Sequence, residues 1–96
     1  MRINQNEIIE DLLEHIRQSG GDRGEWCVGT ARTLQEGAEN GMPRLIYREA
    51  YTPYAAAEVI DYLKGLGLNP DAQSTRGCYV FVYRLAATPR EAALSA

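Results

Sequence analysis

The residues able to do chemistry are few, and their spacing decides what they could do. His15 is the only histidine and lies at the flank of a helical pattern, with no Ser or Cys that local sequence brings beside it. A nucleophile and its base are therefore not written into the chain around it. Cys27 and Cys78 stand far apart and in no C-x-x-C spacing, so neither a zinc site nor a redox pair is expected, and buried free thiols in a reducing compartment are. No H-x-E, D-x-D-x-D-G or G-x-x-x-x-G-K-[ST] string builds a metal or phosphate cradle, and no cofactor or metal is expected.

Two groupings remain as candidate sites. Glu7, Glu10, Asp11 and Glu14 fall within two turns of one helix, with Arg17 the only nearby offset, and form an acidic stripe. The stripe is either a solvated face or a patch for a basic groove on a partner. Asp11 and Glu14 point away from Ile8, Leu12 and Ile16, so reversing their charge is expected to leave folding intact. Tyr54, Glu58 and Tyr62 recur at spacing four along one edge of a later helix, as a binding strip or as the margin of the core.

The elements that carry these groups follow from caps and periodicity. Asn4 with Glu7 three residues later makes a capping signal, and Ile3 can pack on Ile8 as a hydrophobic staple. Ile8, Ile9, Leu12, Leu13 and Ile16 then form one apolar stripe, which predicts a helix over about residues 5–18, stopped by Ser19-Gly20-Gly21. Trp26 to Ala31 alternates as a half-buried strand, with Gly29 marking close approach of another backbone. Thr33 with Glu36, and Gly41 before Pro43, bound a short connecting helix. Arg44 to Ala50 alternates as the second strand, and Thr52-Pro53 opens a helix to Leu66 whose buried face is Ala56, Val59, Ile60, Leu63 and Leu66. Gly67 ends it, with Leu68 folding back on Leu63, and Asn69-Pro70-Asp71 begins a polar loop. Cys78 to Leu85 is the strongest strand and is expected to be central.

The order helix, strand, short helix, strand, helix, strand implies an α/β fold, with α+β as the variant. Two layers are expected, a three-stranded sheet with both long helices on one face. The helix from Pro53 suits a right-handed crossover between parallel second and third strands, whereas the direction of the first strand is left open. Residues 1–87 are expected to form one compact domain and 88–96 a short helix or a frayed tail. The most buried residues should include Leu12, Ile16, Val28, Val59, Leu63, Val80 and Phe81.

Length and composition agree with one core. Ninety-six residues, 45% hydrophobic and 24% charged, are too apolar for disorder and too few for two domains. A chain of this size buries about 60–65% of its unfolded surface, enough to fold without staples but with small reserve. The net charge of -3 argues against general affinity for nucleic acid or anionic lipid, so direct nucleic-acid binding is not expected. The longest apolar run is Cys78 to Tyr83 and the N-terminus is polar, so neither membrane nor export is expected and the location should be cytoplasmic.

Trp26-Cys27-Val28-Gly29, then Ile46-Tyr47-Arg48 and the helical Ala57-Glu58, resemble the motifs of GIY-YIG nuclease-type domains. That resemblance implies a metal-binding Glu58, a helical or strand arginine at Arg32 or Arg48, and Tyr47 acting on a DNA phosphodiester. The family's first G-I-Y strand has no counterpart, and its second tyrosine is Trp26, which carries no transferable proton. The chain also resembles a group of small uncharacterised bacterial and phage-associated proteins, through W-x-V-G-x-A, I-Y-R, A-x-x-V-x-x-Y and Y-V-x-x-Y elements spanning about residues 26–84. It departs from that group at Ala38-Glu39-Asn40 and at Asn69 to Gln73.

The expected function is a non-catalytic protein that occludes a partner's surface, most concretely an acidic phage-type, anti-CRISPR-like inhibitor of a nucleic-acid-handling defence complex. The partner is a protein, and the candidate contacts are Glu7, Glu10, Asp11, Glu14, Tyr54, Glu58 and Tyr62. The alternative is a degenerate or active GIY-YIG-like metal-dependent nuclease domain.

Overall fold

A computed structural model describes residues 2–20, 22–33, 44–71 and 74–85. Its elements in chain order are β1 (Arg2–Ile3), α1 (Gln5–Ser19), a 3-10 turn (Arg23–Glu25), β2 (Trp26–Ala31), β3 (Ile46–Ala50), α2 (Pro53–Gly65), β4 (Asn69–Pro70) and β5 (Tyr79–Arg84). The short helix expected from Thr33 to Gly41 and the tail over 88–96 fall on residues outside the described ones.

The helices begin and end where the caps demand. Asn4 Oδ1 accepts from the Glu7 N–H at 2.9 Å and its amide donates to Glu7 Oε1 at 3.0 Å, so Glu7 belongs to the start of α1. Thr52 Oγ1 accepts from the Ala55 N–H at 3.0 Å, ahead of Pro53 in the first turn of α2. Gly67, at φ +107°, lets the chain reverse, with Leu68 N donating to Leu63 O at 3.2 Å and Gly67 N to Lys64 O at 3.0 Å. This paired closure buries Leu68 against the core.

The strands form one mixed open sheet of five, in the order β1-β3-β5-β2-β4. The expected three-stranded sheet is its interior, and β5 is central as expected. The two added strands are edges of two residues each, too short to leave a periodic trace in the sequence. β3 pairs β5 antiparallel, with Tyr47 opposite Phe81, which overturns the parallel pairing expected of the last two long strands. The physical reason lies in the polar loop. After α2 the chain first lies along β2 as β4, parallel to it, and α2 crosses to that edge instead. Asp71 N then donates to Val28 O and Thr75 N to Thr30 O, while Ser74 Oγ accepts from Thr30 N at 2.7 Å. With that edge occupied, the chain turns back and β5 runs opposite to both β2 and β3.

Both helices pack on one face, as expected. Ile8, Leu12 and Ile16 of α1 and Ala56, Val59 and Leu63 of α2 close on Trp26, Val28, Ala50, Val80 and Val82. Each fully buried Leu, Ile or Val contributes about 1.5–3 kcal/mol by leaving water. All seven residues expected in the core are buried. Phe81 is buried on the opposite face, its ring tilted against Tyr47 and stacked on Tyr83 at 6.2 Å. Beneath it lies Gly29, where a Cβ would stand 2.7 Å from the Phe81 ring. The close approach at Gly29 is thus an aromatic ring rather than a backbone. β2 is also covered on both faces rather than half-buried, with Thr30 its only partly exposed residue. Cys27 is buried, while Cys78 is only half-buried because it precedes β5 instead of lying within it.

Candidate functional site

The residues singled out from sequence separate into two sets. Asp11 Oδ2 accepts from Arg48 Nε at 2.9 Å, so β3 supplies the counter-charge that α1 lacks locally. Glu14 accepts from Arg17 and from the Gln18 amide at 2.9 Å, and the guanidinium holds its carboxyl below the usual range. Glu7 is engaged at the N-cap. Three of the four carboxylates of the acidic stripe are therefore spent within the chain, and Glu10 alone has no hydrogen bond or ion pair to a described residue. A lysine at position 11 would face Arg48, so reversing Asp11 loses this contact, while the expectation that the chain still folds stands as a prediction.

The second set converges. Glu10 from α1 and Glu58 and Tyr62 from α2 line an open groove between the helices, about 520 Å³ in volume, together with Gln5, Asn6, Ile9, Leu13 and Val59. The Gln5 amide donates to Glu58 Oε2 at 2.9 Å and ties the two helices at one end. Glu58 is also hydrogen-bonded to Tyr54, which raises the phenol above its ordinary pKa because ionisation would place two anions side by side. Tyr54 and Tyr62 are 68% and 51% exposed. The groove continues along α1 into a second hollow of about 510 Å³, where Glu10 and Leu13 are joined by Glu14, Ile16, Arg17 and Arg23. An apolar floor with Tyr62 and a few charges at its rim suits protein recognition.

Ile9 and Leu13 were legible only as part of the apolar stripe of α1. The structure divides that stripe, with Ile8, Leu12 and Ile16 in the core and Ile9 and Leu13 only partly covered. A stripe of five residues, wider than one sheet contact needs, was the available signal. Arg23 carried no signal, since it reaches the groove through the turn before β2.

Of the residues implied by the nuclease resemblance, Tyr47, Arg48 and Glu58 are not gathered. Tyr47 packs beside Phe81 on the face away from the helices, Arg48 pairs with Asp11 on the helix side, and Glu58 bonds Gln5 at the groove. Among the described residues no three His, Cys, Asp or Glu side chains come together as a metal site. His15 has a structural role. Its Nε2 donates to the Arg44 carbonyl at 2.7 Å, where Arg44 adopts φ +56°, and its ring stands edge-on to Trp26 at 5.6 Å. No described helix is long and apolar enough to cross a membrane.

On the opposite face Tyr83 is raised well above the ordinary phenol range, mainly by burial, with Cys27 and Asp71 beside it adding to the shift. Its hydroxyl reaches Asp71 Oδ1 only at 3.5 Å, which is long for a strong bond and leaves no poised acid or base. Of the seven candidate contacts, Glu10, Glu14, Glu58 and Tyr62 line the groove between α1 and α2 and its extension, whereas Glu7, Asp11 and Tyr54 do not. Compared with known proteins, the chain matches no family model, no curated protein and no solved structure.

Proposed function

We propose that this is a non-catalytic binding protein that acts by occluding a partner's surface, with the groove between α1 and α2 as its contact. The observation that carries the reading is the convergence of Glu10, Glu58 and Tyr62 around Ile9 and Leu13. Tyrosine gives large contact area at small entropic cost, and partly covered aliphatic groups gain most when water leaves. In its most concrete form the partner is a nucleic-acid-handling defence complex and the protein an acidic phage-type inhibitor. The net charge of -3 supports that form. Because Asp11 and Glu14 are already paired with arginines, the partner's cations meet Glu10 and Glu58, the latter held only by the neutral Gln5 amide and Tyr54 phenol and so still carrying its charge.

The test is capture of protein by the immobilised chain, compared with Tyr62→Ala and Glu58→Lys, both at exposed positions. The wild type should retain a defined protein that nucleic acid displaces, and each variant should retain several-fold less. Equal capture by all three would move the contact away from the groove.

A further inference from the structure

The hollow that Tyr62 borders carries one acid on each wall, Glu10 on α1 and Glu58 on α2, together with Ile9 and Leu13, which are only partly covered. Both acids are exposed and keep their charge. Glu10 is bonded to no described residue, and Glu58 accepts only from the neutral Gln5 amide and Tyr54 phenol. Among the described residues no cation lines this hollow, since Arg17 and Arg23 line only its extension along α1. An occupant that covers Ile9 and Leu13 must therefore bring a cation to each wall or strip water from two carboxylates without compensation.

The backbone of the walls decides the form of that occupant. The amides and carbonyls of α1 and α2 are used within the two helices, so an extended segment would find no ladder to join. A helix brings its hydrogen bonds with it and offers rows of side chains that fit between two helices. From Gln5 to Leu13 the α1 wall rises about 12 Å, the length of about two helical turns. We infer that this groove takes an amphipathic helix of a partner protein, with a Lys or Arg on each side of its apolar stripe, one for Glu10 and one for Glu58. The inference rests on the reading of the groove as a protein-recognition surface and names the segment it takes. A basic helix is also an element that nucleic-acid-handling proteins lay against phosphates, so its seat here and its seat there exclude each other.

The probe is a dye-labelled peptide of about fourteen residues, leucine and lysine in a helical pattern, short enough to be mostly unfolded alone. Fluorescence anisotropy reads its binding, and circular dichroism reads the helix it gains and confirms that each variant of the chain folds. Two controls accompany it, one of the same composition in scrambled order and one with glutamate in place of lysine. The patterned basic peptide should bind, gain helix and weaken as salt rises, while both controls bind about tenfold more weakly or less. Glu10→Gln and Glu58→Gln keep the size of the side chain and remove its charge. Each should weaken binding about two- to fivefold, and the pair together about four- to twenty-fivefold. Absence of binding, equal binding of the scrambled peptide, binding without gain of helix, or indifference to both variants would each overturn the inference. A wild type that sediments as a dimer while Tyr62→Ala sediments as a monomer would overturn it too, by giving the groove to a second copy. Capture of protein by the immobilised chain separates this failure from that of the proposed function. Capture lost in Tyr62→Ala while the peptide fails to bind would remove the helix and leave occlusion standing, whereas capture indifferent to Tyr62 and Glu58 would remove the reading itself.

Discussion

Arg48 Nε donates to Asp11 Oδ2 across 2.9 Å, joining the third strand of the chain to the middle of its first helix. The same guanidinium donates to the Tyr47 carbonyl at 2.7 Å through Nη1, so the arginine is held at two points. Both side chains are about as exposed as they are covered, which keeps the pair weaker than a buried one. A double-mutant cycle of Asp11→Ala and Arg48→Ala in urea should give a coupling of roughly 0.5–1 kcal/mol. Asp11→Lys should destabilise more than Asp11→Ala, through repulsion of Arg48. Equal stability of those two variants would show that the pair contributes nothing in solution.

Two glycines make close approaches of different kinds, which sets the order of their substitutions. At Gly77 a Cβ would stand 2.2 Å from the Ala31 carbonyl oxygen, whereas at Gly29 the nearest atom is the outer end of the Phe81 ring at 2.7 Å. A ring can swing, but the backbone at the end of β2 cannot move without breaking its pairing with β5. Gly77→Ala should therefore cost more than Gly29→Ala, with both in the range of about 1–3 kcal/mol or above. Thermal melts of the two proteins give the comparison, and a smaller loss at Gly77 would contradict the backbone contact.

The legible part of this fold was the part written in caps and periodic burial. Asn4, Thr52-Pro53 and Gly67-Leu68 located both helices, because a cap is a local bond between a side chain and a few adjacent amides. The alternation of Tyr79 to Tyr83 located the central strand. Arg2–Ile3 and Asn69–Pro70 were illegible as strands because their pairing is fixed by β3 and β2, not by their own side chains. The direction of β5 was misread for the same reason, since a hidden edge strand intervened after α2. For the site, helical spacing aligned Glu58 with Tyr62, but it could not show which carboxylates of α1 find arginines. Asp11 meets a residue 37 positions away, and such a partner is set by tertiary packing alone.

The thiols should differ in reactivity. Cys27 is 5% exposed within β2, while Cys78 is half-buried just before β5. Under native conditions a maleimide reagent should label Cys78 first, and Cys27 should react only as the chain opens. Simultaneous labelling of both at the slow rate would place Cys78 as deep as Cys27.

The shifted carboxyl and phenol give opposite dependences on pH. Glu14 has its folded-state pKa lowered by Arg17, so its contribution is present above the ordinary value of 4.5 and is lost as pH falls through the folded pKa. Tyr54 has its pKa raised by Glu58, so its contribution is present below the ordinary value of 10.0 and is lost as pH rises through the folded pKa. In NMR titrations Arg17→Ala should raise the Glu14 pKa toward 4.5, and Glu58→Gln should lower that of Tyr54 toward 10.0. Titrations unchanged by these partners would assign the shifts to other causes.

Glu58 also decides between binding and phosphodiester cleavage. A metal-dependent nuclease needs a carboxylate that holds the ion where charge develops on the phosphate, with a cationic side chain and a proton donor close by. Here Glu58 is occupied by Gln5 and Tyr54, Arg48 by Asp11, and Tyr47 lies on the other face of the sheet. Bringing the three together would require breaking the Arg48–Asp11 pair and carrying Tyr47 through a strand whose neighbours, Ile46 and Arg48, are registered against Val82 and Val80. Purified protein incubated with supercoiled DNA and Mg²⁺ or Mn²⁺ should leave the DNA uncut at any ratio where the chain is folded. Glu58→Ala should then alter capture of a protein partner without altering the DNA. Nicking that needs the metal and disappears in Glu58→Ala would make cleavage the function of the groove, and the binding role of Tyr62 would have to be reassigned to the DNA substrate.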